Sequence, residues 1–299
     1  MHFLRFGYMS VFLSQRIVVF GATGKVGRLL VERLSALGAR TLSVGRRIEV
    51  LNRLPGESLV LDLSRIAPDT SPLLPGDVVI NAAHARHTEA IVKLCPPNIQ
   101  RLIVMGSTRY LTRFNDLAAD EVRKAITLLG ETDLPWVMLH PTMIYGAQGE
   151  NNVQRIASLI RRFHVIPLPG GGRSLIQPIH VEDVVEAIVS AICANGVSKR
   201  TIHIAGQEPV TYADFIREIA RAIDCRVWVV PVPSSLMTMA ARMTRYVPGV
   251  PEITKAEVLR LLEDKAVDDR EMQKALGVFP RVLADGLAEA FDNLSHGKK

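Results

Sequence analysis

The first half of the chain is written in short apolar runs, each followed by a stretch in which apolar positions return at helical spacing. Ile17 to Phe20 opens the series, β-branched and aromatic as a strand buried on both faces requires. Through Gly21, Gly24 and Gly27 it turns into a segment with Val26, Leu29, Leu30, Leu34 and Leu37 on helical spacing, and Gly38 supplies the stop. Arg40–Val44, Ser58–Leu63, an apolar strand from Asp77 leading into the small residues up to His84, Arg101–Thr108 and Asp133–Gly146 are predicted as further strand segments, and Asn115–Leu129 as a helix. Strand and helix in alternation predict a parallel sheet covered by helices on both faces.

From Asn151 the rhythm changes. Ile156, Leu159, Ile160 and Phe163 mark an amphipathic helix, and Gly170-Gly171-Gly172 reads as a turn because no strand-to-helix frame surrounds it. Thr201–Ala205 and Val227–Val230 are predicted as strands and Tyr212–Ala220 as a helix. Between Pro231 and Pro251 an apolar stretch with Leu236, Met237, Met239, Ala240 and Met243 suits a core or substrate-lid helix rather than a membrane helix, since Arg242 and Arg245 interrupt it. The division expected is 1–146 as a mainly dinucleotide-binding domain and 147–299 as a mixed region that completes the sheet and forms a small substrate or partner subdomain.

Composition narrows the function classes. With 299 residues, 48% hydrophobic and 22% charged, the chain can bury a large core without staples. Cys95, Cys193 and Cys225 are far apart and show no metal-ligand spacing, so neither a disulfide framework nor a metal site is expected, and a reducing cytoplasm fits. The net charge of +6 is dispersed apart from pairs such as Arg46-Arg47 and Arg161-Arg162, which argues against nucleic acid as a partner. No run approaches the roughly 20 apolar residues that span a bilayer. The apolar opening from Met1 to Gln15 lacks a small-residue cleavage site, and an alternative start at Met9 or a loose arm is expected there.

Candidate chemistry starts at the glycine turn, where a strand feeding a helix N-terminus through glycines suits a pyrophosphate. Gly21-Ala22-Thr23-Gly24-Lys25-Val26-Gly27 resembles the turn of the short-chain dehydrogenase/reductase superfamily, in its extended and atypical, epimerase/dehydratase-like form. The resemblance runs through most of the chain and is strongest there, at Leu139–Gly146 and at Pro178–Ala187. It implies an α/β fold, a doubly wound parallel Rossmann sheet with a smaller C-terminal α/β substrate region. Where an NAD enzyme carries an acidic residue after the second strand, this chain carries Arg46 and Arg47, which predicts NADP, with NAD the alternative.

The resemblance implies further cofactor contacts along the strand ends. Asp62 and Leu63 fall where the adenine is met, and Asp62 as a cap is the competing use. Asn81-Ala82-Ala83-His84 matches a segment of small residues in which His84 replaces a glycine and suits a capping or ligand-facing place. Ser107 stands where the superfamily's catalytic serine would be, with Thr108 and Tyr110 close by as further catalytic candidates. His140, Pro141, Thr142, Met143 and Ile144 fall in the loop that contacts the nicotinamide, His140 replacing an arginine. His180 and Asp183 are expected to be structural.

What the superfamily needs and this chain lacks is the tyrosine with a lysine four residues later that supplies the proton. Tyr110 is followed four places on by Phe114, and Asn115–Leu129 holds Lys124 but no tyrosine. Two hypotheses therefore stand: an NADP-dependent oxidoreductase or epimerase-like enzyme on an unknown carbonyl or hydroxyl substrate, or a non-catalytic NADP(H)-binding redox sensor or accessory subunit, like the complex I subunit it resembles. A homodimer or larger complex is compatible with both, with Asn115–Leu129 as the face by which related proteins dimerise.

Overall fold

The computed structural model describes residues 15–65, 71–147, 152–241 and 255–296. The expectations for 1–14, Asn151, Arg242, Met243 and Arg245 lie outside them. The first half runs β1 (Arg16–Phe20), α1 (Lys25–Ala36), β2 (Arg40–Gly45), α2 (Ile48–Leu51), β3 (Glu57–Val60), β4 (Val78–Asn81), α3 (Thr88–Leu94), β5 (Arg101–Met105), α4 (Leu117–Glu131) and β6 (Trp136–Pro141). It continues with β7 (Ile144–Tyr145), α5 (Asn152–Phe163), β8 (Val165–Pro169), β9 (Leu175–Ile176), β10 (Ile179–His180), α6 (Val181–Cys193) and β11 (Arg200–Ile204). The last elements are β12 (Val210–Thr211), α7 (Tyr212–Ala222), β13 (Trp228–Val232), α8 (Ser234–Ala241), α9 (Lys255–Arg260) and α10 (Leu283–His296).

Seven strands form one parallel sheet in the order β11-β6-β5-β4-β1-β2-β3. Because side chains alternate across a strand, β1 feeds two cores. Ile17 and Val19 point to the layer of α1 and α6, among Leu30, Leu34, Val184 and Ile188. Val18 and Phe20 point to the layer of α3 and α4, among Ile91, Val122 and Leu129. All of these except Val122 are fully out of water, and each such side chain contributes about 1.5–3 kcal/mol. A third core, with Tyr145, Ile160, Phe215 and Leu287, lies under the second half.

Local chemistry sets the ends of these elements. α4 starts at Leu117 rather than Asn115 because Asp116 caps it, Oδ1 accepting from the amides of Ala118 and Ala119 at 3.0 and 3.2 Å. β3 stops at Val60, short of the expected Leu63, where Asp62 folds the chain into a turn by accepting from the Ser64 amide and hydroxyl at 3.0 and 2.7 Å. The glycine run Gly170–Gly172 is a turn, as its surroundings predict. Gly170 N–H donates to the Val232 carbonyl at 3.2 Å, at the end of a parallel pair of β8 and β13 that hydropathy alone did not pair. Arg101 reaches across a sheet face to the C-terminal end of α6 and donates to the carbonyls of Ala191, Ile192 and Ala194, groups that the helix leaves unpaired. Arg281 fastens the C-terminal region to the start of the same helix, bonding Asp183 from its backbone amide at 3.0 Å and from Nε at 3.1 Å, and pairing with Glu182 and Glu289.

Candidate functional site

The glycine turn follows β1 at the point where the strand order reverses, with β2 to one side and β4 to the other. Gly21 holds φ +78°, and a Cβ there would come within 2.6 Å of the Ala83 amide nitrogen. A side chain on Gly27 would overlap the Gly21 carbonyl, so the helix can start this close only on glycine. The first helical bond of α1 runs from Arg28 N–H to the Gly24 carbonyl at 3.0 Å, and Gly24 caps the helix without a side chain. The amides of Lys25, Val26 and Gly27 are thereby left at the positive end of the helix, the arrangement a pyrophosphate fits. Near Gly24 a Cβ would meet nothing but the Gly21 carbonyl, at 3.1 Å.

The strand ends beside the turn carry the other expected contacts. Val44 O accepts from the amides of Gly21 and Ala22, which ties the turn to the end of β2. There Arg46 and Arg47 are both exposed, and Arg47 donates back to the Thr23 carbonyl. Asn81 is fully buried and shapes the Ala82–Ala83 segment, accepting from Ala83 N–H at 3.1 Å and donating to Thr88 Oγ1 at 3.3 Å. His84 caps the short turn at Ala85–His87 and lies 3.1 Å from Glu121 of α4. Asp62 is held below the usual carboxylate range by its two bonds to Ser64, and Leu63 packs on the core of the α3 and α4 layer.

Beyond β5 and β6 a cleft of about 1390 Å³ opens, bordered by Ser107, Thr108, Thr142 and Met143 from the first half and by α5, β8, α7 and the 260–267 segment from the second. Ser107 caps the 108–111 turn, its hydroxyl accepting from Arg109 N–H at 3.1 Å. Thr108 donates to the Pro141 carbonyl at 3.2 Å, and Thr142 to the Gln177 carbonyl. Arg123 of α4 holds the rim by donating to the carbonyls of Tyr110 and Thr112 at 2.9 and 2.8 Å. The 260–267 segment is fastened across to that rim. Glu263 accepts from Thr112 Oγ1 at 2.7 Å and Arg113 N–H at 2.9 Å, and Arg260 pairs with Asp116 at 2.8 Å. Its far end is held by Gln177, whose Oε1 accepts from Val267 N–H at 3.1 Å.

Two of the expected residues turn away from the cleft. The Tyr110 hydroxyl lies 2.9 Å from His203 Nε2, its ring packs on the core of the α3 and α4 layer, and burial pushes its pKa up. His140 is fully buried, its ring centroid 4.7 Å from that of Tyr110, and neither ring nitrogen has a hydrogen-bond partner among the described residues. Burial and the neighbouring His203 lower its pKa to about 4, the Ser107 backbone, outside hydrogen-bonding geometry, opposing them weakly. His140 is therefore a neutral side chain at pH 7, sealed behind Gly106. His180 caps α6 and Asp183 anchors Arg281. Sequence reasoning missed Lys265, Arg260, Glu263 and Gln177 as cleft residues. Gln177 directly precedes the Pro178–Ala187 segment, whereas nothing local to Arg260 and Glu263 marks them.

A parallel sheet in this order, reversing at a glycine turn, defines the Rossmann class of α/β proteins. Within that class, the model of the NAD dependent epimerase/dehydratase family matches residues 117–205 of this chain. Among curated relatives, the chloroplast stem-loop binding protein of 41 kDa b of Arabidopsis thaliana is 24% identical, over 72% of this chain and 65% of its own. The NADH dehydrogenase [ubiquinone] 1 alpha subcomplex subunit 9 of the same plant is 26% identical, over 69% of this chain and 59% of its own. The chain spans about half the length of the curated relatives it matches. Similar solved structures include an NADPH-dependent quinone oxidoreductase of Escherichia coli, with a TM-score of 0.73 and 16% identity over 92% of this chain and 99% of that one. Another is the UDP-glucuronic acid 4-epimerase of Bacillus cereus in complex with UDP-glucuronic acid and NAD, with a TM-score of 0.68 and 14% identity over 94% and 99%. No helix among the described residues is long and apolar enough to cross a membrane.

Proposed function

We propose that the protein binds NADP(H) along the glycine turn and acts as an oxidoreductase or epimerase-type enzyme on a carbonyl or hydroxyl group held in the cleft. The observation that carries this reading is continuity: the glycine turn, Ala82–Ala83, Ser107 and Thr142 follow the carboxyl ends of four adjacent interior strands, β1, β4, β5 and β6, and Ser107 and Thr142 also border the cleft. The free amides of α1 hold the pyrophosphate, and Arg46 is the group for a 2′-phosphate, since Arg47 is already bonded to the turn. Bound there, the nicotinamide supplies hydride chemistry. Ser107 and Thr108 orient the substrate oxygen, and the apolar side chains of the cleft exclude water from it. Tyr110 serves as a wall of the core rather than as the proton donor, because its hydroxyl is taken by His203.

Fluorescence titration with NADPH and NADH tests the reading. Arg46→Ala should weaken NADPH about tenfold or more, roughly 1.4 kcal/mol, and leave NADH unchanged. Equal losses for both would remove Arg46 from the 2′-phosphate. A second reading, a non-catalytic NADP(H)-binding sensor or accessory subunit, is favoured by the engaged Tyr110 and the absence of tyrosine from α4. It predicts tight NADPH binding, no hydride transfer to a panel of carbonyls and quinones, and a partner whose association depends on NADPH.

A further inference from the structure

The walls of the cleft are largely aliphatic and aromatic, yet five cationic side chains and two carboxylates border it. Two of those cations, Arg109 and Arg260, and both carboxylates are already engaged. Asp116, just behind the rim, pairs with Arg109 at 3.4 Å and Arg260 at 2.8 Å. Both oxygens of Glu263 are taken by Thr112 and Arg113 N–H, and Asp264 Oδ1 accepts from Leu175 N–H at 2.8 Å. Lys265 differs from these. It is half-buried, and among the described residues no carboxylate lies within ion-pairing distance of its ammonium group. Its backbone is fixed, Lys265 N–H donating to the Leu175 carbonyl at 2.7 Å, and two residues on, Val267 is bonded to Gln177, the residue that receives the Thr142 hydroxyl. The side chain is therefore carried on an anchored strip and borders the same cleft as Thr142 and Ser107.

A cation drawn out of water beside aliphatic walls is costly unless a counter-charge joins it. Burial, with Arg260 and Arg109 nearby, disfavours the charged form of Lys265, and Glu263 only partly offsets them. An anion arriving with the substrate would reverse that balance. We propose that the substrate carries an anionic group, a carboxylate or a phosphoryl group, and that Lys265 is the residue that pairs with it. The inference rests on the cleft being the substrate site of the reading above, and it assigns no proton transfer to Lys265.

Lysines methylated with 13C-formaldehyde keep their charge and give separate carbon signals, and the signal missing from K265R belongs to Lys265. Protein loaded with NADPH is titrated with benzoate, phenyl phosphate and the uncharged benzamide. The expected result is a saturable shift of the Lys265 signal with one or both anions. Benzamide should bind about tenfold more weakly or worse, and calorimetry on K265M should show the same loss for the anion alone. A preference for benzoate identifies a carboxylate substrate, and a preference for phenyl phosphate a phosphorylated one. Equal binding of benzamide, or anion shifts that are unsaturable and common to all lysines, would overturn the proposal. NADPH fluorescence in the same samples keeps the two readings apart. Anion failure with NADPH bound counts against the role of Lys265, whereas saturable anion binding without NADPH binding supports that role and counts against the dinucleotide reading.

Discussion

His140 shows what a single buried side chain costs. Its ring is out of solvent and has no hydrogen-bond partner among the described residues, so protonation would place an unmatched charge beside Tyr110 and His203. Its pKa in the folded chain, about 4, lies below the ordinary 6.5, so the unfolded chain takes up the proton first. Its contribution is fully present above pH 6.5 and drains away as the pH falls from 6.5 to 4, by about 3 kcal/mol at most. His140→Leu, close in size and without polar atoms, should flatten the loss of thermal stability between pH 7 and pH 4.5. An unchanged slope would move the acid sensitivity to other histidines, and burial also lowers the pKa values of His180 and His203.

At the scale of elements, what could be read from the sequence was what one segment decides by itself. The turn from β1 into α1 is legible because Gly21 needs a positive φ and Gly27 leaves no room for a side chain. The strands that reach the core are legible because both their faces are apolar, as in Trp136–Pro141, where every residue is buried. What could not be read depends on partners far along the chain. Nothing around Tyr110 announces that His203 takes its hydroxyl, and nothing around Lys265 announces a cleft built from Ser107, Ile156 and Ile216. The end of α6 is another such case, since its carbonyls are satisfied by Arg101 from a separate strand. Arg101→Met should leave those carbonyls unmatched and cost about 1–3 kcal/mol, lowering the melting temperature by a few degrees. A melting point equal to that of the parent would mean that water replaces the guanidinium at no cost.

For the molecule as a whole, a ligand bound at the carboxyl ends of the central strands is linked to global unfolding, because the strands that carry the site also carry the two cores on either face of the sheet. NADPH at about a hundred times its Kd should add about 2.7 kcal/mol to stability and raise the melting temperature accordingly. Gly27→Ala should abolish that rise, and circular dichroism would show whether the variant has kept its helices. A full NADPH-induced rise in folded Gly27→Ala would place the dinucleotide away from the turn.

The sheet also imposes an order on events. β6 lies between β5 and β11, and β11 comes from the far side of α6. During synthesis the strand Trp136–Pro141 therefore waits with one row of backbone groups unpaired until Ile204 has emerged from the ribosome. An apolar edge of this kind is what neighbouring nascent chains adhere to. A product cut at Gly146, the boundary that the sequence pattern predicts for the nucleotide-binding half, would keep that edge exposed for life. For this chain, losing the second half removes a sheet partner as well as one wall of the cleft, which makes aggregation the foreseeable fate of such a fragment.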